Sequence, residues 1–143
     1  MNARSVLSVV AAAAAVALPG LVAAKELLLP EPQSVGNIVY RSGGIGEDER
    51  NALRALARDY NLRLTFVAEG RGAYLSGVQV RIENRDGRVV LDAQAEGPWF
   101  FARLPEGRYR IVVTHGADTI SRDVDLTKGA ADLVLRWKVA AGG

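Results

Sequence analysis

Arg50, Arg54 and Arg58 stand four residues apart, a spacing that puts three guanidinium groups on one stripe of a helix. Planar guanidinium forks bind carboxylates and phosphates. The stripe is therefore a candidate contact for an anionic envelope component or an acidic region of another envelope protein. The plainer alternative is a solvated face on which Glu47 pairs with Arg50. A second group is aromatic. Trp99, Phe100 and Phe101 are consecutive, so strand alternation must send Phe100 to the face opposite Trp99 and Phe101. Trp99, Phe100 and Tyr74 are candidate aromatic contacts if a ring stays exposed, where it could stack on a sugar or a peptide. The bland reading covers the rings with core or helix.

Other reactive groups are sparse. The chain has no cysteine and a single histidine, which removes disulfides, thiolate chemistry and most histidine-based metal sites. His115 has only Asp118 and Asp123 as nearby acids, an unspecific set for a metal. Asp123, Asp125 and Ser121 form an oxygen-rich strand face with too few ligands for calcium. Gly43-Gly44-Ile45-Gly46 runs into a helix start, where anions can bind, but Glu47, Asp48 and Glu49 would repel one and no P-loop lysine follows. No nucleophile elbow, zinc-binding helix or dinucleotide fingerprint is present. The sequence implies no cofactor, no metal and no catalytic residue. A small envelope hydrolase built from clustered carboxylates is the weaker alternative.

The elements that must position these residues are legible in the periodicity. The chain has 143 residues, 49% hydrophobic and 24% charged, with a net charge of +2. This composition suits one globular domain and gives no nucleic-acid footprint. Residues 1–24 carry Arg4, an apolar run from Val6 to Leu18, the Pro19-Gly20 break and small residues at Val22-Ala23-Ala24. That is the layout of a signal peptide cleaved after Ala24, with a run too short to span a bilayer. The expected address is the periplasm or the exterior, with no membrane anchor after cleavage. Residues 25–37 read as an irregular lead-in because of Pro30 and Pro32.

A domain over 38–137 follows, with a flexible tail at 138–143. Ile38-Val39-Tyr40 suggests a short strand and Ser42 to Gly46 a loop. Ala52, Leu53, Leu56, Ala57 and Tyr60 recur at helical spacing, predicting a helix over 47–60 with Asn61 as a left-handed terminator. Beyond Asn61 the period becomes two. Leu62, Leu64 and Phe66, then Val78, Val80 and Ile82, then Val89, Leu91 and Ala93 alternate with polar residues. Tyr109, Ile111 and Val113 continue, followed by Ile120, Val124 and Leu126 and by Leu133, Leu135 and Trp137. Turn signals fall at Asn84–Gly87, Gly97-Pro98, Pro105–Gly107 and His115–Asp118. The pattern predicts a mainly β, antiparallel sandwich of about seven strands with one packed helix. Arg122 falls on the apolar face of its strand, which suits an edge.

Leu104-Pro105-Glu106-Gly107-Arg108-Tyr109-Arg110-Ile111 resembles the proline-glycine turn and tyrosine signature of carboxypeptidase regulatory-like domains. The hairpin from Val78 through Gly87 to Val89 is similar to that family's opening strands. The resemblance covers roughly residues 74–137 and implies a seven-stranded transthyretin-like sandwich. Ser42–Glu47, Tyr60-Asn61-Leu62 and Gly97-Pro98-Trp99 resemble, over about 36–137, small exported proteobacterial proteins of that description. Together with the signal peptide, the strand pattern and the scarcity of reactive residues, this points to a non-catalytic exported binding or interaction module whose partner would be another envelope protein or an anionic envelope component, with carbohydrate binding by an exposed aromatic near Trp99 as the alternative. It implies no peptidase partner.

Overall fold

The computed structural model describes residues 30–70 and 73–138; the expected signal peptide and all of the expected tail but Lys138 lie outside them. Among the described residues, ten strands form two facing sheets, with a single α-helix on the outside of one. The first sheet contains β1 (Gln33–Val35), β2 (Ile38–Gly43), β7 (Trp99–Arg103), β3 (Leu62–Glu69) and β10 (Ala131–Lys138) in that order. The short β4 (Ala73–Tyr74) also pairs with β3. The second sheet runs β6 (Val89–Gln94), β5 (Gln79–Asn84), β8 (Arg108–His115) and β9 (Asp118–Asp125). The mainly β sandwich with one helix is as the periodicity predicts. One pairing departs from an all-antiparallel design: β10 lies parallel to β3, with Ala131 opposite Leu62 and Lys138 opposite Glu69.

The alternation explains the core. Leu62, Leu64, Phe66, Phe100 and Leu135 from the first sheet meet Val80, Ile82, Leu91, Ile111 and Val113 from the second. Each fully buried side chain of this size contributes about 1.5–3 kcal/mol relative to exposure. Tyr109 belongs to the same cluster, and its hydroxyl donates to the Pro105 carbonyl at 2.7 Å. That bond ties the proline-glycine turn to the strand it starts, which gives the motif its physical meaning.

Several local expectations are corrected. The last residues of the supposed irregular lead-in form β1, because Gly36 at φ 58° and Asn37 close a two-residue hairpin with Val35 opposite Ile38. Ser42 and Gly43 are not loop but the end of β2. Ser42 is buried, and its hydroxyl accepts from the Glu96 amide at 3.0 Å. Gly43 sits so close to Gly97 that a Cβ on Gly97 would fall on the Gly43 backbone. The helix, α1, spans Glu47–Leu56 and continues only as a 3₁₀ turn over Ala57–Asp59. Tyr60 then leaves in an extended conformation. Asn61 serves as a clamp on the neighbouring strand: its side-chain carbonyl accepts from the Leu104 amide at 2.9 Å and its amide donates to the Leu104 carbonyl at 2.8 Å.

β9 is an edge strand, as Arg122 suggested. Arg122 pairs with Ile111 across the ladder yet remains exposed, donating to the Ser121 carbonyl. Among the described residues, no helix is long and apolar enough to cross a membrane.

Candidate functional site

The outer face of the first sheet carries both groups of residues singled out by the sequence. Alternation puts Val39 of β2, Trp99 and Phe101 of β7 and Arg63 and Thr65 of β3 on the side away from the main core. There α1 lays Leu53 and Leu56, and the 3₁₀ turn Ala57, against Phe101, Trp99, Val39 and Tyr60 in a second, smaller apolar cluster. Trp99 stacks on Phe101 with centroids 5.8 Å apart and planes at 22°. The helix start is held by Glu49, whose carboxylate accepts from the Gly44 amide at 2.6 Å, in the manner of a capping-box acid reaching back.

Two of the three candidate arginines join this face. Arg54 lies with its guanidinium 5.4 Å from the centroid of the Trp99 ring and donates to Asn51 Oδ1 at 2.7 Å. Arg50 lies 5.1 Å from the Tyr74 centroid and donates to the Gly44 carbonyl at 2.9 Å. Cation–π contacts of this kind contribute about 0.5–2 kcal/mol. They also offset the repulsion between like charges four residues apart. The expected Glu47–Arg50 pair does not form among the described residues; the acid of that turn that is engaged is Glu49.

Arg58 does not belong to the group. The α-helix stops at Leu56, and the 3₁₀ turn rotates each residue by about 120° instead of 100°. Arg58 is thereby swung toward a different surface, beside Asn61, Arg103 and Glu106. Phe100 is likewise removed as a contact residue. It is fully buried in the main core, stacked on Tyr40 at 5.3 Å, because strand alternation points it away from Trp99. Tyr74 is 48% exposed and Trp99 is half-buried.

Beside the arginine–tryptophan pair runs a cleft of about 210 Å³ lined by Arg54, Ala57, Arg63, Thr65, Trp99, Phe101 and Asp132. Arg63 and Asp132 escaped the sequence reading, although the alternation of Leu62, Leu64 and Phe66 already places Arg63 and Thr65 on the Trp99 side. They form a bidentate pair, Nε to Oδ1 at 2.6 Å and Nη2 to Oδ2 at 3.0 Å. This hydrogen bonding lowers the Asp132 carboxyl below its ordinary range and raises the Arg63 guanidinium above its own. Arg63 also donates to the Ala57 and Tyr60 carbonyls, so it fastens the end of the helical segment to the sheet. Arg54, by contrast, has no carboxylate partner among the described residues.

The remaining candidates are surface features. Arg110 holds the Asp123 carboxyl low through a 2.9 Å hydrogen bond, and Asp125 is held low chiefly by Thr127, with Arg108 adding to it. A larger hollow of about 520 Å³ at that end of the second sheet is lined by these paired charges, with Glu83, Asn84, Arg85 and Tyr109. His115 leans on Trp137 with centroids 6.1 Å apart. Among the described residues, no group of three or more His, Cys, Asp or Glu side chains could hold a metal ion.

The chain matches no known family model and no curated protein. Among the solved structures that resemble it, two match over 54% of its length. One is the TIE protein of Bacillus anthracis, at 19% identity and a TM-score of 0.45, of whose chain the match covers 16%. The other is the major pilin subunit of Bacillus cereus, at 14% identity and a TM-score of 0.42, of whose chain it covers 28%.

Proposed function

We propose that this chain is an exported, non-catalytic interaction module of the cell envelope that grips an acidic group of a partner protein with Arg54 and Arg50. The observation that carries the reading is the backing of both guanidinium groups by aromatic rings, Arg54 over Trp99 and Arg50 over Tyr74. A guanidinium backed by a ring loses less freedom when it binds and keeps its remaining N–H groups for a carboxylate. The adjoining cleft, about 210 Å³, is smaller than the roughly 300–1,000 Å³ usual for small-molecule sites. It suits one inserted side chain. A sugar platform is the weaker reading, since a sugar needs a free ring face and the Trp99 ring is taken by both Arg54 and the stacked Phe101. Ion-paired surface carboxylates and a histidine packed on a ring support a binding role over a catalytic one. The resemblance to exported carboxypeptidase regulatory-like proteins supports the envelope address.

The test is affinity capture from an envelope extract of the producing organism, with anionic vesicles and soluble glycans as parallel probes. Arg54→Glu and Arg50→Glu are expected to reduce capture of a defined protein about ten- to a hundredfold, the scale of one lost charge-assisted hydrogen bond. Arg58→Glu, off this face, should leave it unchanged. Equal losses in all three variants, or retention by vesicles or glycans alone, would refute the proposal.

A further inference from the structure

We infer that β10 is a dimerisation edge, joining a second copy of this chain in antiparallel register with Leu135 on the two-fold axis.

The two sheets end in β1 and β10 and in β6 and β9. β1 is three residues long, β6 pairs with β5 through a register shift at Ile82/Glu83, and β9 places a charge, Arg122, in its core-side row opposite Ile111. Short strands, bulges and inward charges are the usual devices that keep sheet edges from pairing. β10 has none of these three, and the charges it does carry, Asp132, Arg136 and Lys138, all lie on its outward face. It is eight residues long, in unbroken register with β3, without glycine or proline, and its inward residues Ala131, Leu133, Leu135 and Trp137 are all apolar.

The backbone polarity of this edge follows from one bond. The Ala131 amide donates to the Asn61 carbonyl while Ala131 lies opposite Leu62. In a parallel ladder this assigns the N–H and C=O of Ala131, Leu133, Leu135 and Trp137 to β3. The N–H and C=O of Asp132, Val134, Arg136 and Lys138 therefore point away from the sheet, and no described strand lies beyond them.

The outward residues have a self-complementary order. In an antiparallel pair centred on Leu135, Asp132 falls opposite Lys138 of the second copy, Val134 opposite Arg136, and the same two pairs repeat across the axis. All of these are positions whose backbone groups face the partner, so ladder hydrogen bonds and opposite-charge pairs coincide. Val134, 49% exposed, is covered by the aliphatic stem of Arg136. An in-register parallel pair would instead set each charge against its own kind. The isologous arrangement is that of a two-fold dimer. It makes one continuous sheet whose two Trp99 strands lie five interstrand steps, about 24 Å, apart with both arginine faces on the same side.

The experiment is light scattering and sedimentation on protein purified from cells expressing the full chain, across the micromolar to millimolar range. The natural sequence is expected to show a concentration-dependent dimer. Val134→Pro deletes an N–H that β3 does not use, so circular dichroism should be retained while dimer affinity falls roughly thirtyfold for the two bonds lost per dimer. Val134→Lys, which sets a lysine against Arg136 of the second copy on both sides of the axis, should weaken the dimer further at low salt. A monomer at every concentration, a dimer indifferent to Val134→Pro, or one indifferent to Val134→Lys would overturn the inference. These readouts involve neither Arg54 nor any ligand, so they stand or fall apart from the proposed function.

Discussion

The arginine face depends on α1 being fixed to the sheet, and Leu53→Ala tests that directly. Leu53 is 1% exposed and packs in the small cluster with Tyr60 and Phe101, bordered by Val39, Leu56, Ala57 and Trp99. Leucine-to-alanine changes in cores cost about 2–5 kcal/mol, depending on how far the site can collapse. This cluster is small and its neighbours are half-buried, so the lower part of that range applies, about 2–3 kcal/mol. For a domain of this size the corresponding fall in Tm is on the order of 10 °C. The assay is urea and thermal unfolding followed by circular dichroism and tryptophan fluorescence. Ala55→Gly, on the exposed side of the same helix, provides the comparison, at about 1 kcal/mol from helix propensity alone. If Leu53→Ala costs no more than Ala55→Gly, the helix is not anchored by the sheet. The geometry of Arg54 over Trp99 then loses its support.

Three further outcomes follow from the described contacts. Asn61→Ala orphans the amide and carbonyl of buried Leu104 and should destabilise by about 2–4 kcal/mol in urea titration; a cost under about 1 kcal/mol would show that the clamp is dispensable. Gly97→Ala forces a Cβ onto the Gly43 backbone and should lower Tm more than Gly116→Ala, whose Cβ meets nothing within 4 Å and whose penalty is conformational only. Asp132 is held below its ordinary value of 3.8 chiefly by its hydrogen bond to Arg63. Its contribution is therefore present above pH 3.8 and is lost as pH falls through the lower folded value. Because the side chain is largely exposed, that contribution is under about 1 kcal/mol. Asp132→Asn should flatten the stability curve slightly in acid and leave its shape near neutrality unchanged.

What the sequence disclosed, and what it hid, follow from the range of each signal. The apolar stripe of Leu53, Leu56 and Ala57 and the alternation on either side of Phe100 are local, so the helix, the strands and the opposed faces of Trp99 and Phe100 could be read directly. β1 was hidden by Pro30 and Pro32, whose restriction on helix says nothing against a short edge strand. Arg58 was grouped with Arg50 and Arg54 because nothing in its spacing marks the change from α to 3₁₀ at Ala57. The Arg63–Asp132 pair joins residues 69 positions apart, and the contact of Tyr74 with Arg50 needs β4 to pair with β3. Neither is encoded in any window of adjacent residues.

The parallel seat of β10 beside β3 also orders events in time. As the chain is made, every earlier strand can find its neighbour while β3 keeps one flank bare. Closing so long a loop is slow on entropic grounds, which makes the arrival of β10 a late step in maturation. Until then Phe66, whose ring meets Trp137 edge-on in the finished molecule, lacks its lid.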